Sequence, residues 1–518
     1  MRSDRSLAWL CGAAAALFYL SFHSYFYNFD GVACAVAVEL SDFKHLVHGN
    51  HLAYGVVGWA FVSLWKLLGY RGAAMLPLQA LNSLLGGAAV GVFYSALRRA
   101  DIRRATALGC AAALALSQGL WLWSLEAQVY PLGVLAAALA LRELLAREPR
   151  ASRLGALQGL AVLGHVGHAM LAPAALFALR RRGKGPLTEA VARYLAAGAA
   201  VVVPAYALAG ALAVRPGSWA QARVWLLGSA ALNHQKAFAW HGGLSLVGLR
   251  AFAAMSLRVV SDYLWAPAGA PRALCAALAL IVLALAAAGA ARARKPQASY
   301  EPTLALLWLA SYAALFLTWE PHTMVYRLSD LLPLWLLAAL ALSRAPWAAA
   351  ALAATLGAAN FAWGIAPVTD PAHNPDYQEA VWLRDALPPE AVVVVTGQGQ
   401  VYEPYFAHLR PLNLYYWEER LPELSAELDA RRARGETLFV TSRTLTLQGG
   451  GAAEWFSAYG LSEVARRDGT ALYQVAGMNG KPNGSTRNRL KTAPTLKNGP
   501  KGIGSERVAR PRAINATP

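Results

Sequence analysis

Long apolar runs separated by short basic clusters are the feature that most constrains this chain. A helix needs about 20 apolar residues to cross a bilayer. The chain is 57% hydrophobic and 15% charged, whereas a typical soluble domain has roughly 25% charged residues. The pattern therefore predicts a polytopic α-helical membrane protein, with membrane spans at 7–24, 73–97, 105–124, 128–145, 188–213, 271–291, 302–318, 327–343 and 346–364.

The basic clusters predict the orientation of these spans. They lie in short connections at 98–104, 142–153, 180–184 and 292–295, and Lys and Arg in loops concentrate on the cytoplasmic side. Placing all four inside puts the N-terminus in the cytoplasm and requires the glycine-rich segment 154–179 to form a hairpin of two short segments. The total is then about eleven segments. We attribute the net charge of +18 to loops and tail, and expect no nucleic-acid partner.

The composition changes near residue 374, where a more polar region begins. Helices are predicted at 377–387 and 421–434, and strands at 391–396, 437–442 and 471–475. Alternating helices and strands predict a small α/β domain over 374–476, which this orientation places in the periplasm. Gly397-Gln-Gly399 follows a strand, but no helix start with further glycines is expected after it, so it does not predict a phosphate loop. The basic tail 477–518 is predicted to be disordered.

The first external loop, residues 25–72, carries the strongest functional signal. Asp30 stands at the mouth of a helix that is marked by apolar residues at helical spacing from Val32 to Val47. Its carboxylate can cap this helix by accepting backbone N–H groups. Alternatively, Asp30 is a general base at the membrane surface, where desolvation raises the pKa of a carboxyl. The sequence leaves both alternatives open.

Two histidines, His48 and His51, follow that helix and precede the apolar stretch 55–68. The stretch is too short to span a bilayer and is interpreted as a helix in the membrane interface. The two histidines can hydrogen-bond within the loop, or they can ligate a metal together with a third residue. The sequence identifies no cofactor, and a divalent metal remains one alternative.

Four features give residues 10–365 a resemblance to the GT-C superfamily of membrane glycosyltransferases, in its bacterial protein O-mannosyltransferase-like branch. They are Asp30 after the first span, the His-led motif 48–54, the turn Glu126-Ala-Gln-Val-Tyr130, and the glycine- and histidine-bearing segment 159–173 that ends in proline. The resemblance implies that residues 1–365 form a GT-C-like transmembrane domain. An extramembrane domain after the last span is common in the superfamily.

The resemblance implies an inverting glycosyltransferase of the bacterial inner membrane that acts in cell-envelope glycosylation. Its donor would be a sugar on a polyprenyl phosphate, and its acceptor a hydroxyl of a protein, lipid or glycan. Asp30 would be the catalytic residue, and Arg327 would contact the phosphate, because a guanidinium binds two phosphate oxygens. The other expected substrate-binding residues are His48, His51, Glu126, Tyr130, His322 and Tyr326.

Each of these assignments has an alternative. Arg327 can extend its side chain to the membrane interface without binding phosphate, and Glu126 and Tyr130 can cap a helix pair. The whole chain can be a lipid or sugar transporter or flippase, or a non-catalytic GT-C relative. Transporters usually show internal repeats and charges in mid-membrane, whereas here the acidic residues cluster in external loops. That distribution favours the enzyme.

Overall fold

The structure is a computed structural model that describes residues 2–227, 245–262, 300–414, 417–447 and 450–478. The predicted span 271–291, the basic cluster 292–295 and residues 479–518 of the predicted tail lie outside the described residues. The chain divides into two compact units between Thr369 and Asp370, and each unit is described by itself.

The described part of the first unit is helical. Its α-helices are α1 (Arg2–Leu20), α2 (Phe29–Leu40), α3 (Phe43–Leu46), α4 (Leu52–Leu67), α5 (Met75–Arg99), α6 (Arg104–Ala115), α7 (Gln118–Leu125), α8 (Tyr130–Leu144), α9 (Ala151–Gly164), α10 (Ala172–Arg182), α11 (Leu187–Ala209), α12 (Trp219–Leu227), α13 (Leu246–Arg258), α14 (Tyr300–Thr318), α15 (Leu331–Ala341) and α16 (Pro346–Asn360). Short 3-10 turns occupy Val166–Leu171, Met324–Asp330 and Pro367–Thr369, and π-helical turns occupy Gly210–Val214 and Phe361–Ile365.

Helix α5 lies at the centre of the first unit and packs on α1, α6, α7 and α8. Glycines allow α1 and α5 to approach closely, since a Cβ atom added at Gly87 would lie 2.6 Å from atoms of Ala16. Small residues at helix contacts are typical of membrane bundles, where close van der Waals packing drives association.

The basic clusters lie together at one end of the bundle, here called the basic end, where ion pairs connect them. These pairs are Arg98–Asp4 at 3.3 Å, Arg104–Asp4 at 3.1 Å, Arg99–Glu143 at 3.6 Å, Arg153–Glu143 at 3.5 Å and Arg182–Glu301 at 2.6 Å. All the basic clusters within the described residues therefore share one end, as the orientation argument required. Which membrane face this end meets remains a prediction.

The segment 154–179 folds as the predicted hairpin. Helices α9 and α10 are joined by the 3-10 turn Val166–Leu171. The start of α9 and the end of α10 both lie at the basic end, where Lys184 Nζ, just after α10, lies 2.7 Å from Glu148 Oε2, just before α9. Two short helices therefore replace a single span, and the two flanking basic clusters stay on the same side of the bundle.

The predicted single span 105–124 is wrong in one respect, because α6 and α7 are bent by 57° at a break around Leu116 and Ser117. The backbone N–H groups of Gln118 and Gly119 bond to the carbonyls of Val260 and Val259 instead of continuing the helix. Asn360 Nδ2 donates to the carbonyl of Leu116 at 2.7 Å. Neighbouring segments thus satisfy the backbone groups that the kink releases.

Five helices among the described residues are long and apolar enough to cross a membrane, or up to six if α6 and α7 count as one span. Helix α8 has 15 residues and the two helices of the hairpin are shorter still. The chain is a polytopic helical membrane protein, and the predicted total of about eleven spans stays a prediction.

The second unit is a small α/β domain. Its described helices are α17 (Pro375–Ala386), α18 (Gly399–Tyr402), α19 (Trp417–Ala433), α20 (Ser442–Leu447) and α21 (Gly450–Ser457), with a 3-10 turn at Pro371–His373 and a π-helical turn at Glu403–Ala407. Its strands are β1 (Val392–Val395), β2 (Arg410–Asn413), β3 (Leu438–Thr441), β4 (Tyr459–Arg467) and β5 (Thr470–Met478).

The five strands form one sheet in the order β2-β1-β3-β5-β4. Strand β1 pairs in parallel with β2 and β3, whereas β5 pairs antiparallel with β3 and β4. The fully buried strands β1 and β3 were predicted from their apolar runs. The prediction missed β2 and β4, and it missed the short helix that begins at Gly399.

Candidate functional site

The start of α2 settles how Asp30 is used in the fold. The N-cap residue is Asn28, whose side-chain oxygen accepts the backbone N–H of Asp30 at 3.0 Å. Asp30 is the second residue of the helix, so the alternative that its carboxylate caps α2 is wrong. An aspartate that is not used as a cap keeps its carboxylate available for other chemistry.

The first turn of α2 lies directly on the turn between α7 and α8. A Cβ atom added at Gly31 would lie only 2.5 Å from the carbonyl oxygen of Ala127. Only glycine permits this approach of two backbones. The contact brings Asp30 beside the turn at residues 126–129, although about a hundred residues separate them in sequence.

The Asp30 carboxyl lies at the rim of the bundle. Its side chain is exposed, but protein surrounds it closely enough that burial raises its pKa, and a hydrogen bond with Gln128 opposes this shift. The carboxyl also lies within electrostatic range of Tyr130 and Tyr326. A partly desolvated carboxylate is a stronger proton acceptor than one in water.

Tyr130 and Tyr326 belong to a cavity beside Asp30. Their ring centroids are 5.8 Å apart, and the ring of His165 lies 5.1 Å from Tyr130 and 5.5 Å from Tyr326. The lining residues are Tyr130, Val134, His165, Gly167, His168, Tyr312, Phe316, Val325, Tyr326, Leu328 and Ser329. The wall is therefore mostly aromatic, with hydroxyl and imidazole groups as its polar atoms, which is a typical composition for a small-molecule site.

His48 and His51 face each other in the loop between α3 and α4. Their rings stack at 4.4 Å between centroids. Burial lowers the pKa of His48, and burial together with the neighbouring His48 lowers the pKa of His51 to about 3. Both rings are therefore neutral at pH 7 and can donate or accept hydrogen bonds.

The loop that holds these two histidines is bound to the hairpin. The carbonyl of Asn50 accepts the backbone N–H of Val166 at 2.8 Å, and His165 is within electrostatic range of His48 and His51. His165 Nδ1 accepts the N–H of Gly167 at 3.1 Å, and His168 Nδ1 lies 2.7 Å from the Tyr312 hydroxyl. Four histidines therefore meet near the cavity, two from the first external loop and two from the hairpin.

Glu126 is fully buried and does not line the cavity. Its carboxylate accepts the hydroxyl of Ser24 and, at 3.0 Å, the backbone N–H of Asn28. Burial raises the pKa of Glu126 to about 7, and the hydrogen bonds from Ser24, Asn28 and Tyr27 oppose that shift. The residue therefore holds the chain just before Asp30.

Arg327 lies inside the bundle rather than at its surface. Its side chain is 1% exposed, and its guanidinium lies 3.4 Å from Asp330 and over the rings of Phe252 and Phe316. His322 is exposed, in the turn between α14 and the 3-10 turn at Met324–Asp330. In this arrangement Tyr326 lines the cavity, while Arg327 stands behind it.

Glu320 is a buried carboxylate that received no role from the sequence. It is 6% exposed, has a φ of +119°, and its Oε2 accepts the Thr323 hydroxyl at 3.3 Å. Burial raises the pKa of Glu320 to about 7, and the Thr323 hydrogen bond opposes the shift. Backbone strain of this kind is concentrated at functional sites, and Glu320 lies within electrostatic range of Tyr326.

No group of three or more His, Cys, Asp or Glu side chains among the described residues is arranged to hold a metal ion. His48 and His51 stack on each other and are not joined by a third ligand among those residues.

Two partners of Asp30, Asn28 and Gln128, were missed by sequence reasoning. The sequence does carry a signal for the network around them. Gln79, Asn82 and Ser83 form a polar stripe on one face of the apolar helix α5, and polar residues in a membrane helix usually bond to neighbouring segments.

The comparison with solved structures bears on the fold. The chain is similar to ArnT from Cupriavidus metallidurans bound to undecaprenyl phosphate, with 12% identity, a TM-score of 0.62, and coverage of 92% of this chain and 99% of that one. It is also similar to the Archaeoglobus fulgidus oligosaccharyltransferase in complex with zinc and sulfate, with 14% identity, a TM-score of 0.51, and coverage of 90% and 73%.

No family model matches the chain, and no curated protein matches it in sequence. The structural likeness shows that the chain shares its fold with these two proteins, in agreement with the GT-C fold that the sequence resemblance predicted.

Proposed function

We propose that the protein is an inverting glycosyltransferase of the bacterial inner membrane that moves a sugar from a polyprenyl phosphate to an acceptor hydroxyl. The observation that carries the proposal is the position of Asp30. Its carboxylate has no capping role, is partly desolvated, and lies within electrostatic range of Tyr130 and Tyr326, which line an aromatic and histidine-bearing cavity. The fold shared with ArnT, which was crystallised with undecaprenyl phosphate, supports a lipid-linked donor.

In the proposed reaction the acceptor oxygen attacks the anomeric carbon of the sugar from the face opposite the phosphate. The bond between the anomeric carbon and the phosphate oxygen breaks, and its electron pair leaves with the polyprenyl phosphate. The Asp30 carboxylate takes the hydroxyl proton of the acceptor. General-base catalysis of this kind contributes about 10²- to 10⁴-fold to a rate.

The side chains that line the cavity beside Asp30 are the proposed contacts of the sugar and its phosphate; the cavity has room for about one water molecule in this structure and has to widen to admit them. The rings of Tyr130 and Tyr326 offer faces for the sugar, and His48, His51 and His165 offer hydrogen bonds to phosphate oxygens. A phosphate near neutral histidines favours their protonated forms, which would supply positive charge to the leaving group.

Arg327 and His322 take different places in this proposal. Because the guanidinium of Arg327 is enclosed by Asp330 and two phenylalanine rings, we assign it to positioning of the neighbouring Tyr326. The exposed His322 is assigned to the entrance, where it can meet the acceptor or the lipid phosphate. The acceptor itself can be a protein, a lipid or a glycan.

The orientation belongs to the proposal as well. Transfer from a lipid-borne donor at the outer leaflet requires the end with Asp30 to face the periplasm. The basic end then lies in the cytoplasm, in agreement with the distribution of Lys and Arg. The α/β domain is assigned to the periplasm, with docking of the acceptor as its role.

Two measurements test this function. The purified protein in lipid nanodiscs should bind undecaprenyl phosphate, as measured by native mass spectrometry. Mass spectrometry of the envelope glycans and glycoproteins of a deletion strain should show the loss of at least one glycan. An unchanged glycan profile together with absence of undecaprenyl phosphate binding would overturn the proposal.

A further inference from the structure

We propose that Glu126 is the positioning residue of Asp30: its buried carboxylate fixes residues 24–28 in the conformation that presents Asp30 to the cavity. The inference rests on the proposed function. It gives Glu126 a different role from the substrate contact that the family resemblance implied, because the residue touches the loop rather than the cavity.

The carboxylate of Glu126 is fully used by the loop that precedes α2. One oxygen accepts the Ser24 hydroxyl, and the other accepts the backbone N–H of Asn28 at 3.0 Å. The backbone N–H of Tyr27 donates to the same carboxylate. Among the described residues, neither oxygen is left without a hydrogen bond, and the side chain is 0% exposed, so a substrate cannot reach it.

The loop adopts an unusual backbone conformation at the point where Glu126 binds it. Tyr27 has a φ of +45°, in the left-handed region that non-glycine residues rarely occupy. Successive N–H groups around such a residue converge and form a site for an anion. The Tyr27 and Asn28 N–H groups meet the Glu126 carboxylate in this way, and that interaction offsets the strain at Tyr27.

Hydrogen bonds of Asn28 and Gln128 connect this loop to Asp30. The Asn28 side-chain oxygen accepts the N–H of Asp30 at 3.0 Å and the amide of Gln128 at 2.8 Å. Gln128 also makes a hydrogen bond with the Asp30 side chain. Asp30 is therefore held from both sides by the turn that carries Glu126.

Helix α5 fixes that turn in place. Asn82 Nδ2 donates to the carbonyls of Glu126 and Gln128, the latter at 2.6 Å. Gln79 Nε2 donates to the carbonyl of Ser24 at 2.8 Å. Since α5 packs on α1, α6, α7 and α8, this network ties the loop of Asp30 to the centre of the first unit.

The charge and the shape of the carboxylate are both required in this arrangement. A glutamine at position 126 keeps one acceptor oxygen but replaces the other by an NH₂ group, which would face the Ser24 hydroxyl or the backbone N–H groups of the loop. The loop would then move away from the turn. A shift of about 1 Å at a reacting group can cost about 100-fold in rate without loss of binding.

The test compares Glu126→Gln with wild type in two measurements. Affinity is measured as binding of undecaprenyl phosphate to the protein in nanodiscs. Transfer is measured in permeabilised cells of the complemented deletion strain, as formation of the glycan that the deletion removes. We expect Glu126→Gln to lower transfer by about 10- to 100-fold and to leave the affinity for undecaprenyl phosphate unchanged.

Glu143→Gln is the matched control. Glu143 is likewise buried and accepts a backbone N–H, that of Arg150 at 3.0 Å, but it lies at the basic end. Its glutamine variant should transfer at the wild-type rate. Gly31→Ala is a second test, because its new Cβ would push Asp30 away from Ala127 while every polar group is kept. It should reproduce the effect of Glu126→Gln.

Wild-type transfer by Glu126→Gln, in a series where Asp30→Asn is inactive, would overturn this inference and leave the proposed function standing. A loss of undecaprenyl phosphate affinity that matches the loss of transfer would also overturn it, since it would indicate a direct contact. Full transfer by Asp30→Asn would instead refute the proposed function. If Glu126→Gln does not fold, Ser24→Ala, which removes one donor to Glu126, must show the same separation of transfer from binding.

The pH profile gives a readout that a purely structural role would not move. Burial raises the pKa of Glu126 to about 7, and protonation removes part of its capacity to accept hydrogen bonds. Wild-type transfer should therefore fall as the pH drops below about 7. In Glu126→Gln the remaining activity should fall only at a lower pH, and an unshifted profile would contradict the inference.

Discussion

The side-chain oxygen of Asn28 accepts the backbone N–H of Asp30 at 3.0 Å, so the cap of α2 is supplied two residues before the carboxylate that is proposed to act on the substrate. Because Asn28 caps the helix, the Asp30 carboxylate is not used by the helix and can act beside the cavity. It also makes the position of Asp30 depend on residues that never meet the substrate.

Asn28→Ala should therefore weaken both the helix and the activity. Loss of an N-cap side chain costs about 0.5 to 2 kcal/mol, and here it also removes the acceptor of the Gln128 amide. Thermal unfolding should show the lower stability. Transfer should fall by more than the loss of folded protein accounts for. Asn28→Asp, which keeps an acceptor oxygen, should restore most of the stability; equal losses in both variants would count against the capping role.

Glu126 should give stability and activity opposite pH dependences. Its folded pKa of about 7 lies above the ordinary value of 4.5, so the folded state binds the proton more tightly than the unfolded state does. Its contribution to stability is then full below about pH 4.5 and is lost as the pH rises through about 7, by up to about 3 kcal/mol. Thermal unfolding from pH 5 to 8 checks this, with Glu126→Gln expected to lose less stability over the range than wild type.

The sequence predicted the parts of the fold that periodicity and apolar length encode. The run 73–97 became α5 at Met75–Arg99. The apolar spacing from Val32 to Val47 became two helices, α2 and the short α3, because the chain leaves the helical conformation at Ser41, where φ is +52°. The cap of α2 was considered only at Asp30, but it is Asn28, two residues earlier, since Asn caps helices as well as Asp does. Strands β2 and β4 are edge strands, one with Pro411 and the other largely polar, so neither shows a clear apolar pattern.

The sequence predicted individual residues of the candidate site but not the hydrogen bonds and contacts that connect them. Asp30 lies within electrostatic range of Tyr130 and Tyr326, and His48 and His51 lie within range of His165 in the same cavity wall. That this end of the bundle is external stays a prediction. The partnership of Ser24 and Glu126 spans 102 positions and leaves no local sequence pattern. The burial of Arg327 could not be predicted from the sequence either, because it depends on contact with Phe252, which lies in a helix distant in sequence.

The buried pair of Arg327 and Asp330 should behave as a coupled unit. Their side chains are 1% and 7% exposed, and removal of one partner of such a pair costs about 3 to 5 kcal/mol. Arg327→Met alone should therefore destabilise the protein strongly, whereas the double variant Arg327→Met with Asp330→Leu should recover most of the loss in thermal unfolding.

The same double variant tests the role of Arg327 in ligand binding. If Arg327 positions Tyr326 and does not touch phosphate, the restored protein should still bind undecaprenyl phosphate. A stable double variant with no affinity for that lipid would instead identify Arg327 as the phosphate contact.

Cysteine labelling should place the two ends of the bundle on opposite membrane faces. Lys44 is exposed in the first external loop, and Lys184 is exposed at the basic end. In a background without the native cysteines, a membrane-impermeant maleimide added to spheroplasts should label Lys44→Cys and should label Lys184→Cys only after lysis. The reverse pattern would put Asp30 in the cytoplasm and remove the basis for a donor at the outer leaflet.

The most direct test of the central claim is Asp30→Asn, which keeps the size of the side chain and removes its charge. The deletion strain should be complemented with this variant, and the variant should be purified in parallel in nanodiscs. We predict a loss of transfer of about 10²- to 10⁴-fold, with unchanged thermal stability and unchanged affinity for undecaprenyl phosphate. Wild-type levels of the envelope glycan in the Asp30→Asn strain would contradict the account.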